Sequence, residues 1–261
     1  MSHRSRLSFR VGALLLAFAA GTHAACPAPA ALRPITPPRS VLILGNSLSG
    51  QLIPALTALA APRRVSVVKH AASGPGLAAL AEQPRTRVIL AQRQWDAIVI
   101  QGGSKDPLEL GTAGFTRLVQ GLAEQARATS PCARIVLMQT WAYRPDHRIY
   151  RREQPGPDAM HTALRAAYRD AARAKIPGAP FELAPVGEAW KRAVAGGVDA
   201  IYARDGLHQS EAGAYLNAVV LDAVLTGRPA GKAADWTVEP ALAARLREVA
   251  AQALAPAQRA D

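Results

Sequence analysis

Four short apolar, β-branched runs stand at intervals along this chain, at residues 41–44, 65–68, 97–100 and 135–138. None alternates with polar positions, which suits strands covered on both faces, as in a parallel sheet. A weaker fifth strand is expected at 181–184. Residues 52–61, 113–128, 160–174 and 212–225 carry apolar side chains three and four apart, the pattern of amphipathic helices. Strand-helix alternation of this kind requires right-handed crossovers. The expected fold is therefore α/β: a three-layer α/β/α sandwich around a mostly parallel sheet of about five strands. Residues 236–254 read as a last helix packed on the outside, or as a partly frayed tail. No internal repeat is visible.

The ends of the chain read differently. Arg4, Arg6 and Arg10 precede a short apolar stretch, 11–20, and Thr22-His23-Ala24 offers a small-x-Ala cleavage site. That stretch is too short to span a bilayer stably, so residues 1–24 read as a secretory signal peptide. A lipoprotein signal ending at Cys26 would want an aliphatic residue where His23 stands. Residues 25–39 hold Pro27, Pro29, Pro34, Pro37 and Pro38, a composition suited to a linker. The expected division is then signal peptide 1–24, linker 25–39, one main domain 40–230 and a helical tail 231–261. The mature protein is expected in the periplasm or secreted, with no stable membrane insertion.

Export changes the reading of the two cysteines, Cys26 and Cys132, because a bridge can persist in that compartment. Two reduced thiols remain the alternative. The formal charge of +12 includes three leader arginines. The remainder is spread along an alanine- and arginine-rich chain without a dense basic run, so nucleic acid is not the expected partner. Only residues 144–152, with Arg148, Arg151 and Arg152 beside Tyr150, are locally basic. No ligand spacing suggests a metal.

Candidate chemistry lies at two places. The first strand runs into Gly45-Asn46-Ser47-Leu48, and Asp205-Gly206-Leu207-His208 stands far downstream. Open α/β sheets place reactive groups where strands end. A serine there is commonly a helix cap, and its hydroxyl becomes a nucleophile only with a base in reach. His208 is the candidate base, with Asp205 three residues earlier to orient its ring. His70, His147 and His161 each sit at an element boundary or in a loop, without such an acid. The three residues together read as a serine esterase.

From about Val41 to Leu225 the chain resembles the SGNH (GDSL-like) hydrolases. The resemblance rests on Gly45 to Leu48 after the first strand, Ala72-Ser73-Gly74-Pro75 after the second, and Asp205-x-x-His208. The downstream Ser210, Gly213, Tyr215 and Leu216 fit the same pattern. It implies a flavodoxin-like fold, a Ser47-His208-Asp205 triad without cofactor, and an oxyanion hole using the N–H groups of Ser47 and Gly74. Two departures stand out. Asn46 occupies a position usually held by Asp. The usual Gly-x-Asn-Asp signature is replaced by Gln101-Gly102-Gly103-Ser104-Lys105, so the side-chain donor to the oxyanion is expected from Gln101, or else from Ser104.

A similar Gln-Gly-x-Ser segment occurs in relatives resembling carbohydrate O-acetylesterases. Export and the aromatics Trp141 and Tyr143, expected to bind substrate beside the basic loop, point the same way. The expected activity is removal of small acyl groups, acetyl first, from a carbohydrate or cell-envelope glycan. The alternatives are a lysophospholipase or thioesterase of the same family, an acyltransferase, and a non-catalytic glycan-binding module.

Overall fold

Side-chain alternation along the three central strands decides the layers of this molecule. The computed structural model describes residue 26 and residues 36–71, 76–152, 155–174, 176 and 180–255. In β1 (Ser40–Gly45), Val41 and Ile43 face one way while Leu42 and Leu44 face the other. β3 (Ala97–Ile100) and β4 (Arg134–Met138) repeat this: Val99 and Val136 join the first face, Ile98 and Ile135 the second. Burial on both sides is why these strands read as unbroken apolar runs.

β2 (Ser66–Ala71) and β5 (Glu182–Ala184) complete a sheet in the order β2-β1-β3-β4-β5, with every pairing parallel. The two edges carry the more exposed β2 and the three-residue β5. The central strand order changes direction at β1, so the crevice between the C-terminal ends of β1 and β3 is the switch point where such sheets bind ligands.

Four helices cover the first face: α1 (Leu52–Ala60), α6 (Val186–Ala195), α7 (Glu211–Thr226) and α8 (Pro240–Leu254). On the second face lie α2 (Gly76–Glu82), α3 (Pro84–Ala91), α4 (Asp106–Thr129) and α5 (Pro157–Arg173). α7 is buried nearly all round, because the sheet, α1, α6 and α8 enclose it. In α8, Ala243, Leu246 and Ala250 are fully buried in the same core as α1 and α7, so the residues after 231 close the sandwich. α4 begins earlier than its apolar period suggests. Its first turns contain Pro107 and a kink at Gly111, whose φ of 65° breaks the helical pattern.

The expected leader lies outside the described residues. Among those described, no helix is long and apolar enough to cross a membrane.

Cys26 and Cys132 form a disulfide, which settles the alternative left open by the sequence. Their Cα atoms stand 5.3 Å apart, and the bridge ties the proline-rich arm to the turn before β4. It closes a loop of 106 residues. Loops of that length constrain the unfolded chain strongly, so reduction is expected to lower stability by about 2–5 kcal/mol. Thermal unfolding with and without reductant checks this. Ester hydrolysis below the lowered melting point should be unchanged, because the bridge lies at the opposite end of the strands from Ser47.

Candidate active site

The turn after β1 separates capping from chemistry. Asn46, not Ser47, caps the following short helix, accepting from the N–H of Leu48 at 2.9 Å. That leaves the Ser47 hydroxyl uncommitted to the backbone. Gly45 permits this tight geometry: a Cβ there would lie 2.6 Å from Gln101 Oε1 and 2.7 Å from Ser49 Oγ.

The second half of the site is the loop before α7. Asp205 Oδ1 accepts from the N–H groups of Leu207 and His208, both at 2.9 Å, a local turn built by the side chain itself. Gly206 takes φ of 70°, a left-handed conformation that favours glycine. Its N–H donates to Ala203 O, and its carbonyl accepts from Arg144 N. The His208 carbonyl accepts from Ala203 N at 2.8 Å, closing the loop on itself.

The two halves meet across the sheet edge. His208 Nδ1 lies 2.6 Å from Asp205 Oδ2, and His208 Nε2 lies 2.8 Å from Ser47 Oγ. With the Nδ1 proton facing the carboxylate, Nε2 is left to accept from the serine hydroxyl. Partial burial acts to raise the Asp205 pKa, yet hydrogen bonds from the His208 ring and two backbone N–H groups hold it down at about 2. The carboxylate therefore stays charged beside the imidazole through the physiological range.

Gln209 is a site residue that sequence reasoning passed over. It is fully buried, and its Nε2 donates to Leu48 O at 2.8 Å, clamping the histidine loop onto the serine turn. Its place immediately after the candidate base was the available signal. The other histidines are engaged elsewhere. His70 pairs with Thr86 inside the fold, His147 caps the turn at 148–151, and His161 stands 3.5 Å from Glu188.

Five expected residues remain, one outside the described residues and four placed differently from the expectation. Gly74 lies outside the described residues. Gln101 is fully buried, and its Oε1 accepts from Asn46 N at 3.3 Å. Its Nε2 donates to Asn46 Oδ1 at 3.0 Å and to Gly102 O. Both amide hydrogens are thus used, and Gln101 braces the serine turn without offering a donor to substrate. Ser104 spends its one hydroxyl proton on Trp141 O at 2.9 Å and is buried.

Trp141 is fully buried, stacked on Trp190 at 4.1 Å, with its indole N–H donating to Leu207 O at 3.0 Å. It cannot offer a ring face to a sugar; it anchors the histidine loop from below. Tyr143 is also buried, edge-on to His147, and lines a cavity of about 70 Å³ with Pro145, His161, Trp190 and Tyr202. Aromatic rings want burial first, and both of these are consumed by the core. Among the described residues, no group of three or more His, Cys, Asp or Glu side chains is arranged to hold a metal.

No protein-family profile and no curated protein matches this sequence. Solved structures do. A DUF4886 family protein from Bacteroides uniformis superposes with a TM-score of 0.70 at 20% identity, covering 82% of this chain and 93% of that one. A protein assigned as a GDSL-like lipase from Parabacteroides merdae shares the fold at a TM-score of 0.54 and 15% identity, covering 75% of this chain and 99% of that one. A protein assigned as an SGNH hydrolase from Slackia heliotrinireducens is 32% identical, covers 71% of this chain and 98% of its own, and has a TM-score of 0.60. With that identity over that span, on a five-stranded parallel sheet of the same fold, the chain belongs to the SGNH hydrolases and is a serine hydrolase of ester bonds.

Proposed function

We propose that this protein is an exported esterase that removes small acyl groups, acetyl foremost, from a carbohydrate or cell-envelope glycan through Ser47, His208 and Asp205. The observation that carries the catalytic part is the unbroken chain from Ser47 Oγ to His208 Nε2 at 2.8 Å and from His208 Nδ1 to Asp205 Oδ2 at 2.6 Å. In this reading Ser47 Oγ attacks the ester carbonyl carbon while His208 Nε2 takes its proton. Asp205 holds the ring in the correct tautomer and stabilises the imidazolium. The tetrahedral adduct collapses as His208 returns the proton to the departing alcohol, leaving acyl-Ser47. Water, deprotonated by His208, then attacks the acyl carbon; the bond to Ser47 Oγ breaks as His208 returns that proton to Oγ, and the carboxylic acid is released. In the same reading Ser47 N, which makes no hydrogen bond among the described residues, donates to the oxyanion.

The substrate part rests on other supports: the leader-like N-terminus, the basic loop at 144–152 and the resemblance of the Gln101–Ser104 segment to carbohydrate esterases. Burial of Trp141 and Tyr143 removes sugar stacking on those two rings from this support. Hydrolysis of p-nitrophenyl esters from acetyl to octanoyl, together with acetylated sugars, tests it. Activity is expected to fall steeply with chain length, with acetylated sugars accepted. A preference for octanoyl with inert acetylated sugars would instead favour the lysophospholipase or thioesterase alternative.

A further inference from the structure

Gln101 and Ser104 have no donor to spare, so an oxyanion at Ser47 lacks the side-chain donor expected from the end of β3. One side-chain amide nearby does have one. The Leu48 N–H can only donate, so the atom it meets at 2.9 Å must be Asn46 Oδ1. Gln101 Nε2 binds the same oxygen at 3.0 Å. With Oδ1 fixed twice, Asn46 Nδ2 must point the other way. There it lies 3.3 Å from the position a Cβ on Gly103 would take, in the crevice between the ends of β1 and β3. The hydrogen bonds Asn46 makes to described residues run through its backbone and Oδ1, none through Nδ2, and Asn46 is only half-buried.

Resting on the triad reading, we propose that Asn46 Nδ2 is the side-chain donor of the oxyanion hole, and that Gln101 is the positioning residue that aims it. The two departures from the family pattern then compensate each other. An Asp at position 46 would accept from Leu48 N and Gln101 Nε2 equally well but would have no hydrogen to give. Asn supplies the donor that the segment after β3 no longer provides. Gln101 reaches the turn because Gly45 has no side chain to block it.

Two variants test this. Asn46→Asp keeps both acceptor contacts, and Asn46→Ser keeps an oxygen able to cap the short helix without adding charge. Losing one oxyanion donor typically costs about 10²–10³ in turnover. Both variants are therefore expected to lose about 100-fold or more in kcat on p-nitrophenyl acetate, with KM changed less than about threefold. Affinity for a trifluoromethyl ketone, which forms an oxyanion on Ser47, should fall in parallel. Thermal unfolding identifies any variant that lost its fold.

Wild-type kcat in folded Asn46→Ser would overturn the proposal, even if Asn46→Asp were slow, because only charge would then be acting. Ser47→Ala, measured alongside, separates the two levels. If Ser47→Ala is inactive while folded Asn46→Ser is fully active, the triad stands and the Asn46 assignment falls. If Ser47→Ala keeps its turnover, the triad reading falls and the Asn46 assignment with it.

Discussion

Ser47→Ala is expected to fold normally and to lose essentially all ester hydrolysis, on the order of 10⁵–10⁶ in kcat. The side chain is exposed and makes no capping contact, since Asn46 holds that role. Removing its oxygen therefore takes away the nucleophile and little else. Circular dichroism and melting temperature should match the wild type. His208→Ala should be about as damaging, and the double variant no worse than either, because the two groups act as one unit. Hydrolysis of p-nitrophenyl acetate by the three proteins, beside the buffer rate, checks all of this. A multiplicative loss in the double variant would show that the two groups work independently.

The second large effect is at Asp205. Asp205→Asn keeps the shape but removes the charge that sets the His208 tautomer, and such a change costs about 10⁴ in kcat where the same constellation operates. KM should move little. The pH dependence separates this role from a merely structural one. Asp205 is held at about 2, below its ordinary value, so it is charged across any pH at which the enzyme is assayed. A depressed carboxylate pKa favours the folded, paired state above the ordinary value, and that support is lost as pH falls toward 2. From about pH 5 upward the wild-type profile should therefore carry no titration of Asp205. Rates from pH 5 to 9 for both proteins check it: the Asn variant should lie below the wild type throughout, with no pH at which the two converge.

The sheet was legible in the sequence because its central strands are buried on both faces, which leaves continuous runs such as Val41 to Leu44 and Ile135 to Met138. Even the three-residue β5 falls within the weak run expected there. Short helices were less visible. α6 keeps a helical spacing through Val186, Ala189, Trp190 and Ala193 but spans only ten residues, and α3 is weakly amphipathic with Pro84 at its start. The disulfide could not be read from two cysteines, since nothing in their spacing reports distance in the fold.

At the site, Ser47, Asp205 and His208 were legible because the local chain supplies their placement: a strand end for one, a three-residue loop spacing for the others. The roles of Gln101, Ser104 and Trp141 were not, because each depends on which way a side chain points in three dimensions. A buried amide beside a serine turn can face substrate or its own neighbours, and only the hydrogen-bond partners decide. Trp141, set after β4 beside a basic loop, has the sequence context of a surface aromatic. Stacking on Trp190 and bonding to Leu207 O place it beneath the site.

Covalent labelling tests the central claim most directly. The protein is treated with a fluorophosphonate, which reacts with serine hydroxyls activated by a neighbouring base, and the adduct is located by peptide mass spectrometry. The account predicts one adduct per chain, on the peptide containing Ser47, and none in His208→Ala. Labelling at a different serine, or full ester hydrolysis after Ser47 is blocked, would contradict it.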